Sequence, residues 1–421
     1  MREDFLHYVW KYKKFDFSNV KTVCKKEIMI IDSGVYTKGT GADFFNAQIV
    51  IDNIRWAGNV EIHLNSSDWY LHNHHMDPNY NNVILHVVWN HDVDVYHRDK
   101  TVLPVLELKN YVDKTLNFRY MGLNYSKSWI FCEDQIKDVD HEIFENWKKE
   151  LFVERLREKS IPLQNLLEEN NNDWEAVLFC MLAKNFGLNI NGPAFFELAK
   201  SIPFTVVRKE SYEVENLEAL FLGRAGLLDT DFQDMYSKEL QNRWNYLRIK
   251  HSLKEIRLEQ VEFFKHRPDN FPTIRLAQLA MLYHKSQYLF ENLIKSKSLN
   301  DFYDLFRVEV SDYWKTHYVL DKESPYKRKT LTKNFIDLLV INTVIPLKYL
   351  YQQYLNKEDL EELLQPLLTI RPEQNIIIDK FSHIGISSKN AFDTQALLQL
   401  KKHYCDNKKC MYCQVGVSLL G

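Results

Sequence analysis

A chain of 421 residues with 45% hydrophobic and 26% charged side chains is long enough for two or three domains and apolar enough to bury a core. Its 12 Gly and 11 Pro are too few for long flexible linkers or a turn-rich β-sandwich, and a formal charge of −3 excludes nucleic-acid binding by bulk basicity, though not through a local basic groove. MREDFLHYVWKYKKFDF is no cationic leader with an apolar stretch behind it, no run of about 18 apolar residues occurs, and six Cys do not form a secreted disulfide framework, so a cytoplasmic location without membrane contact is expected.

Residues 3–14 place Phe5, Leu6, Val9 and Trp10 close to helical spacing. The apolar run 27–34 ends in a turn signal. FFNAQIVI (44–51) and NVEIHL (59–64) follow as strands, separated by DNIRWAG, whose Gly58 suits a turn or bulge. Asp77 and Pro78 open a short helix as cap and first residue. VILHVVW (83–89) is rich in β-branched residues and reads as a buried strand, with further strands at 93–98 and 102–109. The order is helix, three strands, short helix, strand. From about residue 134 apolar positions recur every three or four residues, which predicts a mostly helical region to about 400. The expected division is an α/β domain over 1–125, a helical domain over 126–400 and a Cys-rich C-terminus over 401–421.

Strand alternation sends Val60, Ile62 and Leu64 to one face of NVEIHL and Glu61 and His63 to the other. Asp43 stands at the mouth of the preceding strand. If the two strands pair, Asp43 and Glu61 approach, and two clustered carboxylates hold a hard cation such as Mg²⁺ or Mn²⁺. Such a cation activates water and stabilises charge on a phosphate. The plain alternative is a pair of half-exposed carboxylates on a structural sheet. With the element order, this constellation resembles the PD-(D/E)XK nuclease motif. The resemblance implies an α+β chain with a restriction-endonuclease-like mixed-sheet domain, metal ligands Asp43 and Glu61, and a nucleic-acid substrate, DNA ahead of RNA. His63 stands where that motif has Lys, and Ala42 where it has Pro. A largely neutral imidazole positions or deprotonates water rather than supplying fixed charge. Glu107-Leu108-Lys109 is a second, literal E-x-K, with Asp92 or Asp94 as its first carboxylate; a solvated face explains it most simply.

His63, His72, His74, His75, His86 and His91 crowd into 63–91 of a chain with 15 His. A zinc or manganese hydrolase of a small molecule, built on His63, His72, His74 and an Asp, is therefore a rival, although no strict ligand spacing appears. His86, in an apolar strand, reads as a core histidine. At the other end Cys405, Cys410 and Cys413 form C-x₄-C-x₂-C. This spacing suits zinc, with an iron–sulfur cluster second. His403 is the nearest fourth ligand, with Cys24, Cys132 or Cys180 as distant ones; three buried or free thiols are the alternative. Arg224 in FLGRAGLL and Arg267 and Arg275 in FFKHRPDNFPTIRLAQLA are candidates to hold a nucleic-acid backbone, or structural arginines that hold loop carbonyls. Gly223 and Gly226 let helices approach closely.

GADFFNA, WAGNVEIH, SSDW, VILHVVW, FLGRAGLL, RPDNFPTIRLAQLA and the closing Cys cluster together resemble one uncharacterised bacterial domain-of-unknown-function family over nearly the whole chain. That resemblance implies fold continuity and a bacterial setting, and no activity. A non-catalytic nucleic-acid-binding or scaffold protein on the same fold is the runner-up to the nuclease.

Overall fold

The computed structural model describes residues 2–37, 41–124, 128–254 and 261–420. It separates the chain into two units. The first comprises Met1–Lys149, Lys380–Ile386 and Leu398–Gly421; the second comprises Glu150–Asp379 and Ser387–Leu397. The expected boundaries at 125/126 and 400/401 thus fall differently. The Cys-rich end is no separate piece: it returns to the first unit.

In the first unit α1 (Glu3–Lys11) precedes β1 (Ile28–Asp32), β2 (Val35–Tyr36), β3 (Phe44–Ile51) and β4 (Ile54–Asn65). A short helix α2 (Asp68–Leu71), β5 (Val83–Asn90), β6 (Val105–Glu107) and α3 (Lys114–Asn124) follow. The sheet order is β1-β3-β4-β5-β6, with β2 beside β3. β1, β3 and β4 run antiparallel, and β4, β5 and β6 run parallel. The β3–β4 hairpin closes on Asp52 and Asn53, at φ 54° and 63°. Two consecutive left-handed residues make the tight turn whose twist matches the flanking strands. The expected separator DNIRWAG is therefore mostly strand. Gly58 lies inside β4, where an added Cβ would meet Ile84 Cγ2 at 2.4 Å and the Asn82 carbonyl at 2.6 Å. The strand expected at 93–98 is an irregular segment with one Tyr96–Val102 bridge, and 102–109 contracts to β6 and a 3₁₀ turn. The Asp77 carboxylate caps the 3₁₀ turn Pro78–Tyr80 through the Asn79 N–H, as its sequence predicts.

One sheet face carries Phe44, Ala47, Ile49, Val60, Ile62, Leu85 and Val87. Phe5, Leu6, Val9 and Trp10 of α1 cover it, together with Met411 and Leu420 from the C-terminal segment. The opposite face holds a smaller core around Ala42, Trp69, Val88 and Val105. α1 has acidic Glu3 and Asp4 in its first turn and Lys11 in its last, complementing the helix dipole.

The second unit is mostly helical, as the three- and four-residue spacing predicts. The unit boundary falls inside α4 (His141–Glu169). α5 (Trp174–Phe186), α6 (Leu188–Lys200), α7 (Phe204–Glu210), α8 (Val214–Arg224), α9 (Met235–Lys250) and α10 (Pro272–Lys285) follow and share one apolar core. The Asp173 side chain accepts from the N–H groups of Glu175 and Ala176 and starts α5. A small hairpin, His317–Val319 with Lys322–Glu323, interrupts the expected helical run.

Candidate metal centre

Alternation along β4 divides its side chains as the sequence predicts: Val60 and Ile62 enter the main core, and Glu61 and His63 occupy the other face. Asp43 directly precedes β3, whose Phe44 pairs with Val60. This register makes the two acids neighbours. The Asp43 N–H donates to Glu61 Oε2 at 3.1 Å, and the Ile62 N–H donates to Asp43 Oδ2 at 3.0 Å. Each carboxylate is thus held by backbone of the other's strand, and a one-residue slip would separate them.

Five imidazoles gather at or behind this pair. His63 Nδ1 lies 2.8 Å from His86 Nε2, across the parallel β4–β5 pairing. His63 Nε2 lies 3.1 Å from His72 Nδ1 and 3.5 Å from Glu61 Oε1. His74 Nε2 lies 3.4 Å from the same oxygen. His72 and His74 come from the turn after α2, bent by Asn73 at φ 60°. Buried Trp69 anchors that turn by donating its indole N–H to the Tyr96 carbonyl at 3.2 Å, and the Tyr80 ring stacks on His74 at 3.8 Å. One ligand nitrogen each from His63, His72 and His74 fall within 4.8 Å of one another. From α1, His7 Nε2 reaches Asp43 Oδ2 at 3.2 Å.

Burial sets the electrostatics. It pushes the Glu61 carboxyl well above the usual carboxylate range, and the neighbouring Asp43 and Glu3 push it further. Glu3 rises to about 7, chiefly through burial and then through Asp43, against the opposing effect of His7. His63 falls to about 3 and His74 to about 4, both mainly through burial and then through neighbouring imidazoles. His86 is also driven well below its ordinary range by burial. Neutral imidazoles keep lone pairs available, and the half-buried Asp43 and Glu3 oppose a second negative charge on buried Glu61. This donor set suits a divalent cation.

The structure therefore brings Asp43, Glu61 and His63 together, with the His72 and His74 of the rival reading. Sequence reasoning missed Glu3 and His7. They lie at i and i+4, one stripe of α1, and that spacing was the available signal. It also read His86 as a core histidine. His86 is buried, yet its ring contacts His63 Nδ1 and leaves Nε2 to face Glu61 and His72.

The model of one family, protein of unknown function DUF2851, matches residues 3–376. The chain belongs to this family. No curated protein and no solved structure matches the chain. The DUF2851 match includes every residue of the carboxylate and imidazole cluster and ends before the C-terminal cysteines.

Other expected residues lie elsewhere. Glu107 and Lys109 pair with each other at 2.8 Å, while Glu107 accepts from the His91 N–H and Lys109 donates to Asn90. Asp92 binds Ser66 and Ser67, fastening the end of β4. These contacts hold strand ends. In the second unit Arg224 is buried and donates to Ser201 and to the Lys254 carbonyl. Arg275 is buried too, bonded to Gln278 and Asn270 and lying over the Phe335 ring at 3.7 Å. Both guanidiniums brace loops and helices, in line with the structural role that the sequence offered beside a nucleic-acid contact; Arg267 is exposed. Cys405, Cys410 and Cys413 line one pocket with Cys132. His403 is not among the described residues that line it.

No helix among the described residues is long and apolar enough to cross a membrane.

Proposed function

We propose that the first unit hydrolyses phosphodiester bonds of nucleic acid with a divalent cation held at Asp43 and Glu61. The observation that carries this reading is the reciprocal backbone bonding of the two acids across β3 and β4. In support, a helix, the antiparallel strands β1, β3 and β4, a short helix and β5 parallel to β4 resemble the order of the restriction-endonuclease-like fold, with the two-residue β2 added, and the acids stand where its motif has metal ligands. The oxygen and nitrogen donors together fit Mn²⁺ or Zn²⁺ better than Mg²⁺, which prefers oxygen alone. Such a cation would supply charge stabilisation at the phosphoryl oxygen and a more acidic water. Asp43 and Glu61 would bind it. His63, with Nδ1 tied to His86, turns Nε2 towards Glu61 and His72; an imidazole this weakly basic accepts a hydrogen bond and orients water rather than storing its proton. Exposed His72 marks the open side.

A second reading rests on the imidazole trio itself: a metallohydrolase of a small molecule using His63, His72 and His74 with Glu61. One experiment separates the two. Single- and double-stranded DNA and RNA are incubated with Mg²⁺, Mn²⁺ or Zn²⁺, comparing wild type with Asp43→Ala, Glu61→Ala and the double variant His72→Ala/His74→Ala. Cleavage should be favoured by Mn²⁺ and fall about 100-fold or more in either acid variant. Undiminished cleavage by both acid variants would reject the nuclease. Metal binding without cleavage, lost in the His72/His74 variant, favours the second reading.

A further inference from the structure

We propose that Cys132, Cys405, Cys410 and Cys413 bind an iron–sulfur cluster inside the first unit. The four thiols come from segments more than two hundred and fifty residues apart by their numbering, yet they line one pocket. The remaining lining is largely apolar, including Phe131, Ile136, Leu400 and Val415.

The backbone around each thiol is organised. Cys132 sits at a turn whose carbonyl accepts from the N–H groups of Gln135 and Ile136. Cys405 ends a π-helical turn, Leu400–Cys405. Lys408, at φ 56°, then reverses the chain and donates its N–H to the Cys405 carbonyl. Cys410 and Cys413 flank a 3₁₀ turn closed by the Cys413 N–H to the Cys410 carbonyl at 3.2 Å, so both thiols reach the same side. Behind that turn the last helix, Gln414–Leu420, packs so closely that a Cβ on Gly416 would stand 2.1 Å from the Cys410 carbonyl oxygen. Met411, within the turn, is buried in the main core. Four cysteines converging in so constrained a setting form a complete ligand set, and Cys132 supplies the fourth position for which His403 was the nearest sequence candidate.

The pocket also distinguishes a cluster from a lone ion. Four thiolates on one zinc stand about 2.3 Å from it, and their sulfurs nearly touch. Among the described residues, no three of these four cysteines have their sulfurs all within 4.8 Å of one another, as ligands of one ion would. A cluster of several irons and sulfides spaces its four Cys thiolates more widely. The carboxylate and imidazole site shares none of these ligands, so the proposal stands or falls apart from the hydrolytic reading.

The test uses the full chain purified without oxygen. Iron, zinc and acid-labile sulfide are quantified, visible absorption is recorded, and material isolated without metal is offered ferrous iron with sulfide or zinc alone. Iron and sulfide in matching amounts, with visible absorption, are expected. All should be lost in Cys132→Ser and Cys413→Ser and kept in Cys24→Ser and Cys180→Ser, with far-UV circular dichroism confirming folding. Zinc without sulfide that disappears in Cys132→Ser would overturn the cluster. So would failure of the wild type to take up iron and sulfide. Full iron retention by a folded Cys132→Ser would overturn the ligand set.

Discussion

Glu61 shows how a single residue can be costly to the fold and useful to the site. It is buried beside Asp43 and Glu3, and its pKa lies well above the ordinary carboxylate value. The folded chain therefore holds a proton there that the unfolded chain releases at lower pH. Stability from this position is complete below the ordinary carboxylate range and is lost as pH rises above it. Glu61→Gln keeps the side-chain shape and an oxygen for the Asp43 N–H. In chelator, the variant should melt above wild type at about pH 8, with the gap shrinking towards about pH 5. Mn²⁺ should raise the wild-type melting temperature and leave the variant nearly unmoved, because ligand binding to the native state alone stabilises it. Parallel curves for the two proteins under all conditions would contradict this account of the site.

At the scale of elements, close approach is decided by single small residues. An added Cβ at Gly223 in α8 would lie 2.3 Å from the Trp244 indole of α9. Gly223→Ala should cost about 1–3 kcal/mol in chemical denaturation, because the indole has to move in a filled core. Trp244→Leu in the same chain should recover part of that loss, and strict additivity of the two changes would show that they do not interact. Elements also explain what the sequence could reveal. The Asp43–Glu61 pairing was readable because a period of two and a hairpin leave few registers. The turn itself was placed too late: Asp52 and Asn53 both tolerate left-handed φ, but DNIRWAG hides its strand character behind Arg55 and exposed Trp56. His72 and His74 could be named as metal ligands but not located, since Trp69 positions their turn through a contact with distant Tyr96. α3 was missed because its apolar residues show little helical bias to one face. Cys132 had only residue type to recommend it, with no local pattern linking it to the distant C-terminal three.

The molecule as a whole has an order that differs from its sequence. Residues 398–420 complete the first unit, although the DUF2851 match ends at 376 and the second unit intervenes. Met411 and Leu420 are buried with Phe5 and Trp10, and each contributes about 1.5–3 kcal/mol by leaving water. Tyr412 bonds Tyr36 at 2.8 Å and approaches His7, which touches Asp43. A chain ending at residue 376 should therefore show faster proteolysis within residues 1–149 and a weaker Mn²⁺-induced shift, with the helices of 150–376 largely protected. Unchanged protection of the first segment would show that the C-terminal residues add little to it. During synthesis, domains ordinarily fold as units from the N-terminus. Here the nascent sheet leaves the ribosome early but lacks part of its apolar cover until Met411 and Leu420 emerge, so the helical unit can fold before the sheet is fully covered.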